Sequence, residues 1–318
     1  MDSRRATASW IDADEPPAFE LVNPRGRSRA ILTCDHASPR IPRRLGDLGL
    51  AAADRLRHVA WDIGTAPLAR RLARILDAPL VLSGYSRLVV DCNRPLEVAS
   101  AFCARSEDVD VPGNLALSDV EKAARAAAFY WPYHDAVHKL VESRMGREAP
   151  PVMVSIHSFT PLYLGRARPW HVGVHYRLDR RLAALALAAL RADPTLTVGD
   201  NEPYPVALDE DYTIPVHAEL RGLPYVLFEI RQDLLSTAAG IAAWADRLGG
   251  LLARALTDPS LDHLAPPATD LRAPRYEKEP VHAAQRDRRH PARGRPVLPP
   301  ARGRARPDGA FGDRPAKG

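Results

Sequence analysis

Residues 152–157 read Val-Met-Val-Ser-Ile-His. The run is short, nearly all apolar and without polar alternation, which is how a strand buried on both faces reads. It stops at a histidine, His157. Residues 29–34 (RAILTC) repeat the pattern and run into Asp35-His36-Ala37-Ser38. Residues 225–230 (YVLFEI) form a third such run and carry Glu229 near their end. Residues 79–82 (PLVL), 87–91 (RLVVD) and 172–175 (VGVH) also read as strands. Helical segments lie between them. Residues 64–76 place Leu68, Leu72, Ile75 and Leu76 on one face, with arginines opposite. Residues 118–145 read as one long helix, opened by Ser118 with Glu121 in capping-box spacing. Residues 179–192 and 237–256 supply two more helices. Strands alternating with helices predict an α/β fold, its mostly parallel or mixed sheet covered on both faces. Ligands of such sheets sit beyond the carboxyl ends of the strands. His36, His157 and Glu229 all fall there, so distant segments converge on one expected site.

The chain has 318 residues, 46% hydrophobic and 26% charged, an ordinary globular balance. No apolar run approaches the roughly 20 residues that span a bilayer, and the N-terminus lacks the apolar core of a signal peptide. A cytoplasmic location is expected. Cys34, Cys92 and Cys103 form neither a disulfide framework nor a CxxC pair. The net charge of +5 is unevenly placed: residues 260–318 hold 13 Lys/Arg against 7 Asp/Glu, and the remainder is nearly neutral. The Pro/Arg/Gly-rich stretch from 265 to 318 lacks periodicity and large apolar residues, so it reads as a disordered basic tail. Residues 1–264 read as a single catalytic domain. The charge of the tail says little about the folded part, and nucleic acid is not an expected partner.

Hydrolytic zinc sites commonly take two histidines and one carboxylate, leaving a position for water whose pKa falls near ~7. His36 and His157 supply two imidazoles at equivalent strand ends. For the carboxylate, Asp62 (in AWDIG) is favoured, although its place before Gly64-Thr65 equally suits a helix N-cap. Asp35 adjoins His36, but neighbours on an extended strand point to opposite faces. Glu229 reads either as a salt-bridged carboxylate or as a general base whose pKa is raised by burial. In SRLVVDCNRP, a regular strand puts Arg87, Asp91 and Asn93 on one face. Arginines there suit a substrate carboxylate or an ion pair with Asp91. Asn201, Glu202 and Tyr204 (in NEPY) form a loop.

The segments CDHASPRIP, DIGTAPLA, YSRLVVDCNRP, HSFTP, NEPY and GLPYVLFEIRQDLL, in that order from about residue 29 to 236, resemble the N-formylglutamate amidohydrolase family. The family is similar to zinc carboxypeptidases and aspartoacylases. The resemblance implies a three-layer α/β/α sandwich around a mixed, mostly parallel sheet. It implies Zn2+ held by His36 and His157, an Asn93–Arg94 pair that grips a substrate carboxylate and polarises the carbonyl, and Glu229 as catalytic base. Carboxypeptidases carry a glutamate three residues after the first zinc histidine; Pro39 stands there in this chain, so Asp62 is the inferred third ligand.

The function expected is zinc-dependent hydrolysis of N-formyl-L-glutamate or a similar N-acyl amino acid. A metal-bound water attacks, Glu229 acts as base, and Arg94 polarises the carbonyl. Arg87, Asn93, Arg94, Arg231 and Tyr204 form the substrate-binding set. The alternatives are a zinc carboxypeptidase or peptidoglycan-type amidase acting on a larger substrate, and a non-catalytic binding relative. A wide, open cleft would favour the larger substrate, and a small closed pocket lined by arginines would disfavour it.

Overall fold

The computed structural model describes residues 10–269, all within one unit. The expected tail lies, beyond residue 269, outside the described residues. Eleven strands occur among those described: β1 (Phe19–Val22), β2 (Ala30–Cys34), β3 (Leu80–Ser83), β4 (Arg105–Ser106), β5 (Val109–Asp110), β6 (Val152–Phe159), β7 (Leu162–Tyr163), β8 (Arg166–Ala167), β9 (Val172–His175), β10 (Val198–Asp200) and β11 (Tyr225–Arg231). Seven of them make one sheet in the order β1-β3-β2-β6-β11-β9-β10. The β3-β2-β6-β11 centre is parallel, as is the β9-β10 pair; β1 and β9 join antiparallel. The remaining four form two small hairpins, β4-β5 and β7-β8.

Side-chain alternation divides the core between the two faces. Ala30, Leu32, Val154, Ile156, Val226 and Phe228 pack with α1 (Thr65–Ile75), α4 (Arg181–Arg191) and α6 (Ala238–Ala255). Ile31, Met153, Tyr225 and Leu227 face the other way, onto Tyr133, Val137 and Val141 of α3 (Trp131–Glu142) and Ile214 of α5 (Thr213–His217). The result is the expected α/β/α sandwich. No helix among the described residues is long and apolar enough to cross a membrane.

Three local expectations need correction. The helix over 118–145 opens with its capping box at Ser118, but it is broken into α2 (Asp119–Arg125), a π turn (Ala126–Tyr130) and α3. Pro132 accounts for the break, since it has no N–H to donate and crowds the carbonyl one turn back. Residues 87–91 are not a strand. Ser86 Oγ accepts from Leu88 N–H, and the Ser86 carbonyl accepts from Val89 N–H, so local bonds outcompete a sheet ladder. Finally, β6 runs two residues past His157, because β11 pairs with it as far as Arg231↔Phe159.

Candidate metal centre and active site

The site lies on the α3/α5 face of the sheet. Ser155 and His157 alternate with the α1-facing residues of β6, and Glu229 does the same on β11. Glu229 and His157 are register partners on these parallel strands. The chain leaves β2 at Cys34 and turns through Asp35 and His36. Strand alternation therefore stops applying, and both side chains reach the same buried cluster. Asp62 arrives just before α1. Its carboxylate does not cap that helix: the N-cap is Gly64, at φ 83°, with no side-chain cap bond. A Cβ at Gly64 would collide with Leu235, so the left-handed turn and the close packing both call for glycine. The Asp62 backbone carbonyl takes Thr65 Oγ1–H instead, leaving the carboxylate for the cluster.

His36, Asp62 and His157 are all buried, and one donor atom from each lies within 4.8 Å of the others. His36 Nδ1 stands 3.3 Å and His157 Nδ1 2.9 Å from Asp62 Oδ2. The opposite ring nitrogens face other carboxylates, His36 Nε2 at 2.6 Å from Asp91 Oδ1 and His157 Nε2 at 3.1 Å from Asp35 Oδ2. Asp35 is itself held by O–H donors from Tyr133 (2.6 Å) and Thr213 (2.7 Å). Two imidazoles with carboxylates behind them, converging on a third carboxylate, is a donor set that could hold a metal ion. The set fits zinc in ligand type, and the Asp62 carboxylate stands where it could serve as the third donor.

Electrostatics agrees with the geometry. Burial and the Arg87 charge press the His36 pKa down, but Asp91 and Asp62 outweigh them and hold it above the usual value. Burial also lowers His157, yet Asp35 and Asp62 raise it well above that value. Burial pushes Asp91 up, and the Arg87 and His36 charges reverse this, leaving it well below the carboxylate range. Glu229 differs. Burial, aided by the Asp62 charge, lifts its pKa to about 7. One of its oxygens accepts from Tyr204 O–H at 2.5 Å; Oε2 has no hydrogen-bond partner among the described residues.

A cavity of about 610 Å³ opens over this cluster, within the range of small-molecule sites. Arg87, Asn93, Arg94, Tyr204 and Glu229 line it together with His36, Asp62 and His157. Arg87 is bound up with the buried acids, at 2.7 Å from Asp91 and 3.7 Å from Asp62. Arg94 pairs with Glu210 at 2.9 Å. Asn93 organises the opposite wall: Nδ2–H donates to Asp211, and Oδ1 accepts from the backbone N–H groups of Tyr212 and Thr213. Arg231 does not line the cavity. Its guanidinium donates to Asp233 and to the Pro169 carbonyl. Sequence reasoning missed the bracing role of Asp35, set aside by a strand rule that the turn after Cys34 cancels. It took Asp91 only for an ion-pair partner, where the structure also puts it on His36. Tyr133 and Thr213 carry no signal of their own, since they reach Asp35 only through the packing of α3 and α5.

The sandwich and its buried two-histidine, one-carboxylate centre define a three-layer α/β/α protein with a metal-competent site. A profile of the N-formylglutamate amidohydrolase family matches residues 28–236. A solved gene product of Agrobacterium tumefaciens is 40% identical, over 78% of this chain and 98% of its own, with a TM-score of 0.75. A structure of N-formylglutamate amidohydrolase from Ralstonia eutropha, 19% identical over 76% of this chain and 97% of its own, has a TM-score of 0.53 and shares the fold. No curated protein matches the sequence. The chain belongs to the N-formylglutamate amidohydrolase family, and so to the hydrolases that act on amides.

Proposed function

We propose that the protein is a cytoplasmic, zinc-dependent enzyme that hydrolyses the amide of N-formyl-L-glutamate or a similar N-acyl amino acid, releasing a carboxylate and the free amino acid. The observation that carries this reading is the placement of Glu229. It stands in register with His157, with one oxygen on Tyr204 and the other unpaired, and its pKa is near the working pH. His36, Asp62 and His157 would hold the zinc ion. Zinc bound there would polarise the amide carbonyl and acidify a water. Glu229 Oε2 accepts the proton from the attacking water and returns it to the departing nitrogen. Tyr204 O–H fixes the carboxylate in place through Oε1. Arg94 faces the cavity from the loop after Asp91 and is positioned to polarise the carbonyl, while Asn93 holds the opposite wall. Arg87 keeps Asp91 ionised and so keeps His36 oriented. The cavity of about 610 Å³, lined by arginines, suits a small acidic substrate better than a polymer.

The test is a hydrolysis screen of the purified full chain, with zinc or with chelator, over N-formyl, N-acetyl and peptide substrates. Zinc-dependent release of formate from N-formyl-L-glutamate is the expected result. Cleavage of muramoyl peptides without cleavage of any N-acyl amino acid would overturn the substrate assignment. Absence of bound zinc, with a melting temperature indifferent to chelator, would make the protein a binding relative.

A further inference from the structure

The cationic side chains around the cavity are nearly all accounted for. Arg87 serves Asp91 and Asp62, Arg94 serves Glu210, Arg105 serves Asp110, and His58 meets Glu107. Arg168 differs. It lines the same cavity, at the foot of the β7-β8 hairpin, where its backbone N–H donates to the Pro161 carbonyl at 2.9 Å. Its guanidinium carbon lies 4.3 Å from the Tyr163 ring centre, 5.7 Å from that of Tyr204 and 5.9 Å from that of Phe159. Among the described residues, no carboxylate lies within ion-pair distance of it and no side-chain acceptor takes its N–H groups.

Aromatic faces hold a guanidinium through its charge and flat surface. They leave the in-plane N–H donors, on a half-buried side chain, free to exchange solvent for a ligand. Those donors form a fork that matches one planar anion, a carboxylate, with two parallel hydrogen bonds. The location is informative as well. Tyr204 touches Arg168 with its ring and Glu229 with its hydroxyl, so the fork lies one ring away from the base. Phe159 stands two residues beyond His157 on β6.

We infer that Arg168, stacked among Tyr163, Tyr204 and Phe159, is the receptor for a carboxylate of the substrate, selecting N-acyl amino acids with an acidic side chain. The selectivity rests on the amide hydrolysis proposed above; the carboxylate binding does not. It also assigns a role to the β7-β8 hairpin, which carries Tyr163 and positions the fork at the cavity.

The experiment compares zinc-loaded wild type, Arg168→Met and Arg168→Lys on N-formyl-L-glutamate and on its uncharged isostere N-formyl-L-glutamine. In parallel, glutarate binding is measured by calorimetry. Arg168→Met is expected to lose about 100-fold in kcat/KM on the glutamate substrate, mainly through KM. Its activity on the glutamine substrate should stay within about threefold, and glutarate affinity should fall about as much as kcat/KM. Arg168→Lys keeps charge over the rings but lacks the fork, and should recover only part of the loss. Equal losses on both substrates, or no loss on either, would overturn the inference, and Arg168→Lys decides the matter if Arg168→Met does not fold. If neither substrate is cleaved while glutarate binding still depends on Arg168, the carboxylate subsite stands and the hydrolysis reading fails. If N-formyl-L-glutamate is cleaved independently of Arg168, hydrolysis stands and the subsite fails.

Discussion

Glu229 and His157 stand opposite each other on the parallel strands β11 and β6, so both side chains leave the same face of the sheet. The sheet itself fixes the spacing between Glu229 and His157, while turns bring His36 and Asp62 to the cluster. Replacing Glu229 by Gln removes the proposed proton acceptor and keeps the shape. Turnover of the zinc-loaded variant should fall by about 10²–10⁴-fold, with zinc content and melting temperature retained. Turnover within threefold of the parent would reject Glu229 as the base.

The carboxylates behind the imidazoles should matter almost as much as the donors. Asp91 faces His36 Nε2, and Asp35 faces His157 Nε2. Each fixes which nitrogen of its ring turns toward Asp62. Asp91→Asn and Asp35→Asn should each weaken metal affinity by about 10–100-fold, read by competition with a chromophoric chelator. Asp62→Ala removes a donor and should lose metal altogether under the same competition. Unchanged affinity in both Asn variants would show that the rings are oriented by packing alone.

Much of this was readable from local pattern. The apolar runs ending near His36, His157 and Glu229 announce the sheet and the edge where the site lies, because burial on both faces leaves a continuous signature. Asp62 was ambiguous for a physical reason: a carboxylate before a helix caps it by default, and only the left-handed Gly64 shows that this one does not. The segment 87–91 misled because its valines are buried in a turn-rich loop, where Ser86 satisfies the backbone that a strand would have paired. Arg168 was invisible. A guanidinium without a carboxylate partner is a property of the three-dimensional neighbourhood, and nothing in RARPW distinguishes it from Arg166.

Arg87 holds two buried acids, and its removal should be felt in stability before function. It lies 2.7 Å from Asp91, which is nearly fully buried, and 3.7 Å from Asp62. Removing one partner of a buried pair leaves an uncompensated charge, at a cost of about 3 kcal/mol. Arg87→Met should therefore lower the urea midpoint strongly in chelator and less with zinc present, since a bound cation would offset part of the stranded charge. Equal losses with and without zinc would show that Arg87 and the metal cluster are electrostatically independent.

The last prediction concerns a buried histidine on α3. His134 is fully buried, its Nε2–H donates to the Cys92 carbonyl at 2.8 Å, and its Nδ1 lies 3.0 Å from His217 Nε2. Burial pushes its pKa down to about 4, against 6.5 for a free imidazole. Between those values the unfolded chain binds the proton and the folded chain does not. Stability supplied by neutral His134 is thus complete above pH ~6.5 and is lost as pH falls toward ~4. His134→Gln retains an N–H donor but cannot titrate. Wild type should be the more stable at pH 8, and its advantage should shrink by roughly 2 kcal/mol on going to pH 4.5. Urea midpoints of both proteins across this range, in chelator, read the difference directly and cancel the titration of groups remote from His134; the adjacent His217, held neutral by burial, contributes through the same pair. An advantage that stays constant with pH would mean that folded His134 takes up its proton as readily as the unfolded chain does, so that burial does not depress its pKa.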